Sequence, residues 1–277
     1  MSVVLMNRPP ENHVRPVEQP FAVEALSAEK IYANGTQALR PVDLRIAQGE
    51  FVTLLGPSGC GKSTFLKMVA GLIEPSDGRL LLWRKPVARL HETGRTLSYV
   101  FQEPTLMPWH TVYRNVRLPL ELAGVPRREA DQRVREVLEL VGLGRFAEAL
   151  PRELSGGMQM RVSIARGLVV RPNLLLMDEP FGALDEITRN KLDSDLLELW
   201  QRQRLTVAFV THSIHEAVFL SQRVIVMAAR PGRVVAEVAI DEPFPRTPTF
   251  RLSPRFAEYA MRLHECLVEA SADQETD

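Results

Sequence analysis

Apolar residues along this chain fall into two rhythms: short, largely apolar runs of about five residues, and longer stretches whose apolar positions share one helical face. The runs at 51–55, 96–100, 174–177, 206–210 and 224–227 are strand-length and separated by longer helical segments. Such runs predict strands covered on both faces, and strands alternating with helices predict an α/β fold with a mostly parallel core sheet. Ahead of that core, Val42, Leu44 and Ile46 alternate as a half-buried strand does, and Asn34-Gly35 is a hairpin turn signal. Residues 21–46 therefore read as an N-terminal antiparallel β subdomain. From about 103 to 155 the strand signal disappears. There Ala130, Val134, Val137, Leu138 and Val141 share a helix face and Gly142 follows as a C-cap, so this stretch reads as an inserted α-helical subdomain. Residues 254–267 predict one more amphipathic helix.

The ends differ in composition. Pro9, Pro10, Pro16 and Pro20 stand among polar groups in residues 1–20, too few apolar atoms to offset chain entropy, so a disordered leader is expected there. Residues 268–277 predict a flexible acidic tail, leaving one domain over 21–267. Lysine plus arginine and aspartate plus glutamate both total 34, so no global basic field points to nucleic acid. Cys60 and Cys266 match no metal-ligand spacing and read as inert thiols of a reducing compartment. No stretch reaches the roughly 18 apolar residues that a bilayer requires; even 205–220 is broken by His212, His215 and Glu216. With Arg8, Pro9, Pro10 and Glu11 so early, a secretory signal's apolar core is not expected either. Any membrane role comes through a partner.

The sharpest chemical signal is Gly56-Pro57-Ser58-Gly59-Cys60-Gly61-Lys62-Ser63-Thr64, which satisfies G-x-x-x-x-G-K-[ST] after a strand and before a helix. Glycines let backbone N–H groups turn onto phosphate oxygens, and the positive end of the following helix adds to the attraction. Lys62 then reaches the terminal phosphates and the Ser63 hydroxyl ligates Mg²⁺. The run at 174–177 ends in Asp178-Glu179, two carboxylates at the carboxyl edge of the sheet, where such folds bind ligands. Asp178 suits the metal and Glu179 suits the attacking water as a proton acceptor. Asn190-Lys191-Leu192-Asp193 imitates a guanine-reading motif, but no strand precedes it. It reads as helix surface charge, with Leu192, Leu196, Leu197 and Trp200 facing inward.

Leu154-Ser155-Gly156-Gly157-Met158-Gln159 precedes a stretch of helical character, which places small residues and free N–H groups at a second helix start. A lysine-bearing loop combined with a separate Ser-Gly-Gly start resembles the ATP-binding cassette (ABC) ATPases, whose signature this is. The resemblance spans residues 21–267 and implies an ATP hydrolase that uses ATP and Mg²⁺. It also implies a homodimer in which Ser155, Gly156 and Gly157 of one copy close over the γ-phosphate held by the other. By the same resemblance Gln102 touches Mg²⁺ and the attacking water, Ala183-Leu184-Asp185 crosses the dimer contact, His212 bonds the γ-phosphate and Tyr32 stacks on adenine. Met160 departs from the family's usual Gln or Arg.

Leu106-Met107-Pro108-Trp109, 216–221 and Arg230-Pro231-Gly232-Arg233-Val234 resemble segments of bacterial importers for nitrate, aliphatic sulfonates and taurine; similar subunits serve thiamine-pyrimidine precursors. This implies a peripheral protein on the cytoplasmic side of the membrane, working with permease subunits and, indirectly, a periplasmic or extracellular solute-binding protein. Leu106 is expected to pack the insert, and Met107 is read equally as packing or permease contact. DNA-maintenance relatives carry far longer insertions, ribosome-associated ones carry two cassettes, and non-catalytic modules lose Glu179 or His212; none of these patterns fits.

Overall fold

The computed structural model describes residues 21–182 and 184–272; the leader expected at 1–20 and the end of the tail lie outside the described residues, as does Ala183. Strands β1 (Phe21–Ile31), β2 (Gln37–Ala47), β4 (Asp77–Leu82) and β5 (Lys85–Pro86) form an antiparallel sheet in the order β2-β1-β4-β5. The Asn34-Gly35 turn joins the first two, with Gly35 N–H donating to the Tyr32 carbonyl and the Asn34 side chain accepting from Thr36 N–H. The core sheet holds β3 (Phe51–Leu55), β6 (Leu97–Val100), β7 (Leu174–Asp178), β8 (Thr206–Thr211), β9 (Arg223–Ala228) and β10 (Arg233–Ala239). Its order is β10-β9-β3-β8-β7-β6, parallel except where β10 runs against β9.

Helices α1 (Lys62–Val69), α2 (Val112–Leu122), α3 (Arg127–Leu140), α4 (Gly156–Leu168), α5 (Glu186–Gln203), α6 (Ile214–Leu220) and α7 (Pro254–Ala272) cover that sheet. The central strands divide their side chains between two cores. Phe51, Leu55, Leu175, Met177, Val207 and Phe209 face the core that includes α2 to α7. Val52, Leu54, Leu174, Leu176, Ala208 and Val210 face α1 and the antiparallel sheet. Alternate residues thus bury on opposite sides, which explains the unbroken apolar runs; full burial of each Leu or Phe contributes about 1.5–3 kcal/mol. Strands β4, β5 and β10 carry little pattern because they lie at or near sheet edges, with few buried positions. Among the described residues no helix is long and apolar enough to cross a membrane.

Two expectations are corrected. Helix α7 continues to Ala272, so residues 268–272 are helical where a frayed tail was expected. Asp193 is not surface charge: it is buried on α5 and paired with Arg251 at 2.5 Å. Helical spacing places Asp193 beside Leu192 and Leu196, and Arg251, arriving from 58 residues further along the chain, pairs with it there, with Arg189 as a second nearby cation. Leu192, Leu196, Leu197 and Trp200 do face inward, with Trp200 stacked edge-on against Phe51.

Candidate functional site

The order β3-β8-β7 brings three strand ends together. Leu55 pairs with Thr211, and Val210 with Asp178, so the loop after β3, the segment after β8 and the acids after β7 share the sheet's carboxyl edge. Two glycines of the first loop have no room for a side chain. A Cβ on Gly56 would stand 2.4 Å from the Met227 carbonyl oxygen. On Gly61, at φ +87°, it would stand 2.8 Å from that of Ala38. The earliest N–H groups of α1 lack intrahelical partners, the first bond in this turn being Phe65 N–H to the Gly61 carbonyl.

Lys62 folds back along the loop it follows. It is only 3% exposed, and its Nζ donates to the carbonyls of Gly56 at 2.8 Å and Pro57 at 2.9 Å. The same ammonium lies 3.5 Å from Glu179 Oε1, while Glu179 Oε2 lies 3.1 Å from His212 Nδ1. Glu179 holds this central place at φ +45°, a left-handed conformation costly for a non-glycine residue, fixed by its N–H bond to the Val210 carbonyl. Beside it, Ser63 Oγ donates to Asp178 Oδ1 at 2.7 Å and Tyr99 Oη to Asp178 Oδ2 at 2.8 Å. Burial, with the adjacent Asp178 charge, pushes the Tyr99 hydroxyl well above its ordinary range, so it remains a donor.

A second helix start lies apart from this cluster. Ser155 caps α4, its hydroxyl accepting from Met158 N–H, and both Ser155 and Gly156 are exposed. Gly157 abuts α5: a Cβ there would meet Thr188 Cγ2 at 3.0 Å. Asp185 caps α5 through Thr188 N–H at 3.0 Å, and that bond holds its carboxyl below the usual range. No hydrogen bond among the described residues joins Ser155 to the Lys62 loop.

A family model described as ABC transporter matches residues 39–182. The chain belongs to the ABC transporter ATPase family. As an ABC ATPase it binds and hydrolyses ATP. An uncharacterized ABC transporter ATP-binding protein of Methanocaldococcus jannaschii is 48% identical over 230 residues, 83% of this chain and 84% of that one. The taurine import ATP-binding protein TauB of Rhizobium johnstonii is 47% identical over 232 residues, covering 82% and 87%. The nitrate import ATP-binding protein NrtD of Synechocystis is 42% identical over 236 residues, covering 83% and 88%. A solved ATP-binding cassette, dimeric in a post-hydrolysis state with ADP and Pi, matches 80% of this chain and 100% of its own at 34% identity and TM-score 0.71.

Within this ABC ATPase, Lys62, Ser63, Asp178, Glu179 and His212 form one cluster, whereas Gln102 stays outside it. Gln102 is exposed after β6, and its side chain makes no hydrogen bond among the described residues. Tyr32 stands at the end of the β1 strand, 40% exposed, its hydroxyl 3.4 Å from Thr64 Oγ1. Cys60 and Cys266 are free; burial raises the Cys60 thiol, which is 3.8 Å from Lys62 Nζ. Met160 is buried, an apolar group in the core facing α2 to α7. Leu106 packs against that core as expected; Met107 is clamped through its backbone by Asn115, and Trp109 is 70% exposed. Sequence reasoning missed two participants. Tyr99 belongs to no phosphate motif, and only the pairing of β6 with β7 brings it to Asp178. Thr211 was a plain strand end, yet its hydroxyl accepts from Ser213 N–H and bonds the buried Glu216 carboxyl, bracketing His212.

Proposed function

We propose that this chain energises an importer of small solutes, working as two copies on the cytoplasmic face of permease subunits that receive cargo from a solute-binding protein. The observation that carries the hydrolytic half is the line Lys62–Glu179–His212 beside Ser63–Asp178. Lys62 and the N–H groups of α1 bind the terminal phosphates, leaving the Gly56 and Pro57 carbonyls to do so. Glu179 accepts a proton from the attacking water, and His212 orients both Glu179 and the γ-phosphate. The Ser63 hydroxyl and Asp178 carboxylate form a hard oxygen donor set suited to Mg²⁺, which supplies charge neutralisation at the phosphates. In this reading Gln102, exposed and unbonded, joins them when two copies close over ATP, and Tyr32 stacks on adenine.

The exposed Ser155 and Gly156, unconnected to their own phosphate loop, support a partner copy's nucleotide as their target. Gly157 and Asp185 flank that contact. The 47% and 42% identities to taurine and nitrate importer subunits support an anionic sulfur or nitrogen source as cargo. The direct test is growth of the producing organism after deletion of this chain. Loss of growth on taurine, an alkanesulfonate or nitrate as sole sulfur or nitrogen source is expected. Unaltered growth on all three, with loss on a thiamine-pyrimidine precursor, moves the cargo to that class.

A further inference from the structure

The pairing of β6 with β7 sets Tyr99 opposite Leu176, two residues before Asp178. Residues 176 and 178 share a face, and the two-residue step from one to the other spans roughly 6–7 Å. A tyrosine side chain leaning along its strand covers that distance, and a phenylalanine falls one hydroxyl short. The hydroxyl reaches Asp178 Oδ2 at 2.8 Å, while Oδ1 is held at 2.7 Å by Ser63 from α1. Asp178 is itself buried, so each oxygen depends on its protein donor for orientation.

We infer that Tyr99 is a positioning residue of the ATPase, acting through Asp178 to set the carboxylate's direction toward the metal that accompanies ATP. The inference rests on the metal role proposed for Asp178. Partners of a metal-binding carboxylate typically govern affinity by 10–100-fold, the scale expected when one of two orienting bonds is deleted. The bland competitor is packing: the Tyr99 ring lies 4.5 Å from Phe101, a contact that needs no hydroxyl. The two roles separate in Tyr99→Phe, which keeps the ring and removes only the donor.

The test uses the full chain and two readouts. ATP hydrolysis is titrated with free Mg²⁺ at saturating ATP, and Mn²⁺ binding in the presence of ATP is followed by electron paramagnetic resonance, which requires no turnover. Tyr99→Phe is expected to raise the half-saturating metal concentration about tenfold in both assays. Its kcat at saturating metal is expected to fall by a smaller factor than its metal affinity, because excess metal compensates a weakened site. Unchanged metal dependence in both assays, with or without a fall in kcat, overturns the positioning role. Asp178→Asn is run alongside. If it too leaves metal binding at the parental level, the metal assignment of Asp178 fails first; if it abolishes metal binding while Tyr99→Phe changes nothing, only the role of Tyr99 is lost.

Discussion

Lys62 Nζ lies 3.5 Å from Glu179 Oε1, so the proposed phosphate ligand and the proposed proton acceptor pair with each other across the sheet edge. Glu179 contacts His212 through its other oxygen, 3.1 Å from Nδ1. In the proposed role, Lys62 leaves this pairing and the Gly56 and Pro57 carbonyls to reach phosphate.

Glu179→Gln removes the proposed proton acceptor while preserving size and a hydrogen-bonding oxygen. Hydrolysis should fall by about 100-fold or more, with ATP still bound and a stable dimer accumulating. Light scattering that finds only monomer with ATP argues against the two-copy reading.

Lys62→Ala deletes the ammonium from the phosphate loop and leaves the Gly56 and Pro57 carbonyls without their donor. Turnover is expected to drop at least about 100-fold, since a preorganised charge at developing phosphate charge is worth several kcal/mol. A parental rate in this variant would refute the loop's role.

At Tyr32, Ala should weaken nucleotide binding by about 1–3 kcal/mol, the range for a base stacked on an aromatic ring. Phe and Trp should bind nearly as well as Tyr. Equal losses in all three, measured with a fluorescent ATP analogue, move the adenine contact elsewhere.

Glu216 is buried between α6 and α5, and burial first, with Asp193 nearby, raises its carboxyl to about 7; burial raises Asp193 to about 6. Both folded values exceed those of the unfolded chain, so the native state binds these protons more tightly. Their contribution is complete at acid pH and lost as pH rises through the folded values. Melting temperature should therefore climb as pH falls from about 8 to about 6, and Glu216→Gln should flatten that slope. An identical slope in the variant removes Glu216 from the explanation.

Arg246 ties the end of α6 to the chain after β10. Its guanidinium is buried and donates to the carbonyls of Val218, Phe219, Ser221, Ile240 and Glu242. Arg246→Ala leaves several buried acceptors unpaired and should cost about 3 kcal/mol or more, read by urea denaturation. A loss below about 0.5 kcal/mol, typical of surface sites, would show that water replaces the guanidinium.

What the sequence determined by itself was every feature whose signal is local. Five core strands were legible because burial on both faces demands unbroken apolar runs. The phosphate loop was legible because Gly56 and Gly61 sit where no side chain fits, and Asp178-Glu179 because they end a buried strand. Tertiary structure alone decided which distant groups meet. Asp193 is buried where Arg251 returns to pair with it, and Tyr99 reached Asp178 only through strand register. Edge strands β4, β5 and β10 left little trace, since exposed positions impose no hydrophobic period. Pairing partners, unlike periodicities, are fixed by chain path, and one residue's chemistry carries no record of what lies across the sheet.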